Sequence, residues 1–263
     1  MNLLKLAIPT ASFKLPLRQA LQSASRLQVE GVQFDIRDEV RATDFGETAC
    51  RQLRHHVDEL RLKIASVTLP TRRPLCDKEH LDLRIQAVRN GLEFARRLGA
   101  NVLTVRIGPL PEDVASAEAR MMLEIISDLV AHGNRVGTTL ALSTVGNSAE
   151  RLRQLCREVS TGAVGLDFDP AGCIFGGRKP HDELRSLHGL VSHVVARDGM
   201  RTDLGHGVET AVGAGEVAWE ELLATLAEMD YDGWLTPQRT AGENQLDDIL
   251  RAIKFVRNVM QSS

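Results

Sequence analysis

Short apolar runs alternate along the chain with longer stretches in which apolar residues recur every three or four positions. The first run covers residues 3–8. A helical pattern follows over 16–27, where Leu17, Ala20, Leu21, Ala24 and Leu27 fall on one face. The next run, 29–36, contains Gly31-Val32-Gln33-Phe34-Asp35, whose alternation sets polar groups on one side of a strand. The cycle then repeats. Helical patterns over 45–61, 81–98, 116–134, 149–159 and 180–187 precede strand-like runs at 64–69, 102–107, 139–142, 164–168 and 190–196. Helices over 217–229 and 246–260 flank a last short strand, 234–236. Gly99 stands where a left-handed C-cap would close the third of these helices.

Eight strand–helix units predict a parallel sheet, because crossover helices join parallel neighbours. Their number and the length of 263 residues suit a single closed (β/α)8 TIM barrel over 1–263. A doubly wound open sheet is the alternative. No Gly/Ser/Pro-rich linker divides the chain. The longest irregular piece, 199–215, exceeds an ordinary barrel loop and is expected to cover the mouth.

In such a barrel the site lies at the C-terminal strand ends, to which each strand contributes one or two inward groups. Reading those ends gives Asp35 and Arg37; Thr68 with Arg72 and Arg73 beyond it; Arg106; Ser143; Asp167 and Asp169; His193 and Arg197; and Gln238 and Arg239. Any one of these could be a rim residue or half of a loop ion pair, so their grouping carries the inference. Asp167 and Asp169 share one face of a strand. Asp169, nearer the mouth and just before Pro170, is the candidate proton carrier with His193; Asp167 is expected to hold a buried Arg or His. Asp35 and Arg37 are expected to pair with these groups across strands. The substrate-binding candidates are Asp35, Arg37, Arg106, Ser143, Arg197, Gln238 and Arg239.

Composition narrows the chemistry. A net charge of −3 argues against a nucleic-acid partner, and no run approaches the roughly 18–20 apolar residues of a membrane span. The first residues do not read as a secretory signal. Cys50, Cys76, Cys156 and Cys173 form no Cys-x-x-Cys pair, so a reduced, cytosolic protein is expected. Cys173, read as a loop residue beside Asp169, is a weak nucleophile candidate. The basic residues are 26 Arg against 6 Lys. Arg suits carboxylate and phosphate groups, but composition bias with solvated helix faces is the preferred account of the excess as a whole. The histidines form no metal-ligand spacing, and no nucleotide fingerprint follows the first strand. Gly176-Gly177-Arg178 is a weak phosphate-loop candidate. No metal or cofactor is expected. The expected partner is a small polar or anionic molecule, and homo-oligomerisation stays open.

The segment VGAGEVAWEELLATLAEMDYDGWLTPQ, residues 212–238, resembles the sugar-phosphate isomerase/epimerase superfamily with the xylose-isomerase-like barrel, which also includes endonuclease IV. The family pattern there is Gly-x-Gly-x-x-x-Trp, a helix, then Gly-Tyr-x-Gly before a strand ending in Glu. Here Asp230 stands where Gly is usual. EGVQFD, LALS, VGLDFDPAG and GLVSHVVARDG add weaker matches, so the resemblance runs through nearly the whole chain. It implies a divalent ion held by Glu, Asp, His and Glu. Those positions fall at Ser143, Asp169, Val195 and Gln238, and a second-strand Glu falls at Gln33. Only one anionic ligand of four survives, too few for a hard cation. The resemblance therefore implies an isomerase- or epimerase-like protein without the usual metal step. The alternative is a silent barrel that binds a sugar acid or sugar phosphate. A nuclease role needs a metal cluster that these residues do not supply.

Overall fold

The computed structural model describes residues 4–262. Eight parallel strands close in the order β1, β10, β7, β6, β5, β4, β3, β2. They are β1 (Lys5–Pro9), β2 (Gly31–Asp35), β3 (Lys63–Thr68), β4 (Val102–Val105), β5 (Thr139–Ser143), β6 (Gly165–Phe168), β7 (Val191–Ala196) and β10 (Trp234–Pro237). The expected TIM barrel is therefore correct. Around it lie α1 (Leu17–Ala24), α2 (Glu47–Glu59), α3 (Leu81–Leu98), α4 (Ala117–Val136), α5 (Ala149–Glu158), α6 (Pro170–Phe175), α7 (Pro180–Ser186), α8 (Trp219–Glu228) and α9 (Gln245–Ser262). The family of short connections forces each helix back across the outside of the sheet.

Local chemistry sets the helix limits. Ser116 and Ser148 accept hydrogen bonds from Ala119 N and Arg151 N and so cap α4 and α5. Gly99 (φ 84°) and Gly137 (φ 80°) end α3 and α4 in the left-handed conformation. The strands alternate as a barrel requires. Leu6, Ile8, Val32, Phe34, Val67, Leu103, Leu140, Leu142, Leu166, Phe168, Val194 and Leu235 are buried in the apolar layer under the helices. The residues between them point inward. Strand register aligns Gln33 with Ser66, Thr68 with Thr104, Ser143 with Asp167, and Asp167 with His193. This lumen is polar where many barrels carry Val, Ile and Leu. At its N-terminal end the Trp234 indole covers Gly31, where an added Cβ would come within 2.7 Å of the ring.

Two expectations fail. The 199–215 segment is not irregular: β8 (Asp198–Arg201) and β9 (Gly207–Thr210) form an antiparallel hairpin after β7. Its two strands are only four residues long, and Gly is too frequent around them, for the segment to read as strand. Residues 170–175, expected as a loop, are helical. Pro170 sits in the first turn and Asp169 caps it, a start signal outweighed in the sequence by the two glycines that follow the helix.

Candidate functional site

The floor of the site is built on strand register. His193, fully buried, contacts Asp167 Oδ1 through Nδ1 at 2.7 Å and Thr236 Oγ1 through Nε2 at 2.8 Å. Both ring nitrogens are thus engaged. As expected, Asp167 satisfies a buried histidine. Beside this trio, Gln33 Nε2 donates to Ser66 Oγ at 2.9 Å, and Gln238 Nε2 donates to Gln33 Oε1 at 3.1 Å. The second bond reaches over β1, between strands that are not neighbours. Two amides therefore bond each other at positions where the resemblance places carboxylates.

Asp169 sits above the floor. It is 3% exposed. Its Oδ1 accepts Gly172 N at 3.2 Å as the cap of α6, and its Oδ2 lies 3.0 Å from Arg197 Nη1. Burial pushes the Asp169 carboxyl above the usual range, opposed by the Arg197 guanidinium. Arg197 also lies over the Phe175 ring, 5.8 Å from its centroid.

Beyond Arg197 the charges alternate. Glu209 Oε2, on β9, is 3.8 Å from Arg197 Nε, and its Oε1 is 3.6 Å from Arg239 Nη1. Arg239 Nε is 3.0 Å from Asp248 Oδ2 at the start of α9, and Arg251 is 2.6 Å from Asp248 Oδ1. Glu209 also accepts from Thr240 N at 2.8 Å and from Thr240 Oγ1. Three acids and three arginines thus form one neutral chain across the ends of β6, β7 and β10. Arg197 and Arg239 belong to it. Glu209 is a site residue that sequence reading missed, because it lies in the segment taken as irregular.

Other candidates stand apart. Asp35 Oδ1 accepts from Arg37 N at 2.8 Å and Asp38 N at 3.1 Å, so it caps its own turn. Among the described residues it makes no ion pair with the Asp167–Asp169 strand, contrary to the cross-strand pairing expected. Arg37 donates to Pro70 O at 2.8 Å and lines a surface cleft with Arg72, Arg73 and Arg84. Arg106 follows β4 on the inward register and is exposed. Ser143 is half-buried, with Val145 N at 3.5 Å from its hydroxyl. A second missed acid, Glu39, receives Thr10 Oγ1 at 2.7 Å and Asp35 N at 3.3 Å. Burial raises its carboxyl to about 7.

Cys173 lies inside α6, not in a loop. Its thiol is directed at Asp169 O, and burial pushes its pKa up to about 12, the reverse of a nucleophile's environment. Arg178 is bound to Glu183 and to Asn147 O, so the Gly176-Gly177 turn presents no free guanidinium.

A divalent ion does not fit these residues. Ser143, Val195 and Gln238 bring no charge. The one carboxylate, Asp169, already carries a guanidinium and a backbone N–H. Among the described residues no group of three or more His, Cys, Asp and Glu converges as metal ligands.

The family model of the xylose isomerase-like TIM barrel matches residues 21–259. No curated protein matches at a significant level. Among solved structures, a xylose isomerase domain protein from Planctomyces limnophilus superposes with a TM-score of 0.86 at 20% identity, covering 100% of this chain and 99% of that one. A D-tagatose 3-epimerase-like protein gives 0.74 at 18% identity over 98% and 97%. A xylose isomerase-like TIM barrel protein from Mycobacterium smegmatis, in complex with magnesium, gives 0.78 at 15% identity over 98% and 97%. At these identities the likeness establishes the fold.

Proposed function

Because the chain belongs to the xylose-isomerase-like TIM-barrel family, we propose that it performs isomerase- or epimerase-type proton transfer on a small polyhydroxylated, anionic molecule without a divalent metal. The observation that carries this reading is the Asp169–Arg197 pair, 3.0 Å apart at the strand ends. Enolisation needs a base for the proton next to a carbonyl and a positive group for the oxygen on which charge develops. Asp169 supplies the first. Arg197 supplies the second in place of a metal ion. The proton leaves carbon for Asp169 and returns to the same face of the neighbouring carbon as the hydroxyl proton passes between the two oxygens, or returns to the original carbon after the planar enediolate has turned its other face to Asp169. Burial raises the Asp169 carboxyl, which brings it toward a pKa suited to proton exchange. In this reading Gln238 and Ser143 hydrogen-bond hydroxyls of the ligand. His193, held by Asp167 and Thr236, supports the floor from beneath.

One observation favours a second reading, in which the barrel binds such a molecule without turnover. Both Asp169 oxygens are already engaged, by Gly172 N and by Arg197. The two are separated by incubating EDTA-treated protein in deuterium oxide with a panel of sugar phosphates, ketoses and aldonic acids. Deuterium entering a carbon-bound position, lost in Asp169→Asn, supports proton transfer. Saturable binding with no exchange supports the silent barrel. If no member of the panel binds, both readings fall.

A further inference from the structure

Two guanidinium nitrogens at the barrel mouth stand out. Arg197 Nε and Arg239 Nη1 are buried, and neither makes a hydrogen bond to the protein. Both face the Glu209 carboxylate, but at 3.8 and 3.6 Å, beyond hydrogen-bond reach. Glu209 directs its hydrogen bonds elsewhere, to Thr240 N and Oγ1. A carboxylate is thus held near two arginines and bonded to neither. The side chains are 16% (Arg197), 13% (Arg239) and 7% (Glu209) exposed, so charge in this pocket is weakly screened.

We infer that Arg197 Nε and Arg239 Nη1 form the subsite for the carboxylate or phosphate of a ligand, and that Glu209 is its resident competitor. The inference rests on the proposed reading of the mouth as the site for an anionic molecule, and names the groups that hold its charge. Without Glu209, Asp169 and Asp248 face Arg197, Arg239 and Arg251, leaving one positive charge in excess. A carboxylate or phosphate in that gap can give each guanidinium the acceptor it lacks. Displacement is a side-chain rotation that gives up the two Thr240 hydrogen bonds and leaves the backbone in place. The Glu209 backbone stays paired with Gly199, and the base of the hairpin is fixed by Asp198.

The test is titration calorimetry of the full chain with inorganic phosphate and, separately, with D-gluconate, a polyhydroxylated monocarboxylate. Glu209→Gln removes the competing charge at constant shape and is expected to bind at least one probe about tenfold more tightly than wild type. Preference for phosphate or for gluconate tells which anion the subsite takes. Glu209→Ser serves if the Gln variant fails to fold, and the double variant E209Q/R239K is expected to lose the gain. Affinities for both probes within twofold of wild type in folded E209Q overturn the subsite, as does a gain that survives in E209Q/R239K. Deuterium exchange by wild type, with no gain in E209Q, overturns the subsite and leaves the proposed function standing. A gain in E209Q with no exchange on any substrate supports the subsite and removes turnover.

Discussion

Trp219 donates its indole N–H to Oδ2 of Asp198 at 2.9 Å, and this bond explains a sequence motif. The fully buried Asp198 carboxylate also accepts from Gly199 N, Gly213 N, Gly215 N and Val217 N. Gly213, Gly215 and Trp219 are the constant positions of Gly-x-Gly-x-x-x-Trp. Gly213 adopts φ 84°, and a Cβ on Gly215 would lie 2.1 Å from Asp198 Oδ1. The motif is a wrapping of backbone around one carboxylate, and it fixes the hairpin that carries Glu209.

Asp198→Ala is therefore expected to destabilise the protein by about 3 kcal/mol or more, since five donors, three of them in buried hydrogen bonds, lose one acceptor. Trp219→Phe, which loses one donor, is expected to lose about 1–2 kcal/mol. Hydrogen exchange decides where the loss falls. Faster exchange confined to 198–217 supports the hub, and unchanged protection there removes it.

Asp230 has φ 50° in the turn after α8, where the family pattern carries Gly. Tyr231 N closes the turn onto Leu226 O, and the Tyr231 hydroxyl donates to Trp234 O at 2.9 Å. Relief of left-handed strain outweighs the extra freedom of glycine here, so Asp230→Gly is expected to stabilise by about 0.5–1 kcal/mol. A lower urea midpoint in the variant would show that the Asp side chain contributes more than its backbone strain.

The buried trio has unequal members. His193→Ala leaves Asp167 as a buried carboxylate without its partner, an expected loss of about 3–5 kcal/mol. Thr236→Val removes one hydroxyl at constant shape, an expected loss of about 1–2 kcal/mol. A double-mutant cycle in urea measures the coupling, and strict additivity would mean that the chain of bonds carries no cooperative energy.

Glu39 predicts a pH dependence. Its carboxyl is raised from 4.5 to about 7, so the native state binds the proton more tightly than the unfolded chain. Its contribution is complete below pH 4.5 and is lost as pH rises through about 7. Glu39→Gln abolishes that loss. The variant is expected to gain about 1–3 kcal/mol on wild type between pH 5 and pH 8. Parallel urea curves at the two pH values check it, and a constant difference would place the titration elsewhere.

Metal binding is testable by restoration. Wild type dialysed against manganese is expected to retain well under one equivalent by elemental mass spectrometry. The triple variant S143E/V195H/Q238E returns two carboxylates and an imidazole beside Asp169, and is expected to retain close to one. A full equivalent in wild type would overturn the account of Asp169 as an arginine-paired acid.

Periodicity, the count of eight strand–helix units and the chain length together pointed to the barrel, and the strand pairing closed it. Apolar residues such as Phe34, Leu103 and Leu235 alternate with inward residues that are mostly polar or small, and eight such strands joined by amphipathic helices have few ways to pack. The strand ends also revealed Asp169, Arg197, Gln238 and Arg239, because register follows from alternation. What those side chains do was decided by tertiary structure. The sequence names no partner for Arg197 or Arg239; the fold brings Asp169 and Glu209 to the first, and Glu209 and Asp248 to the second. Glu39 reads as one more loop acid until burial beside Thr10 raises its carboxyl. Charge pairing and desolvation depend on distance in space between residues far apart in the chain. Periodicity carries which face a residue occupies, and not which charge it will meet there.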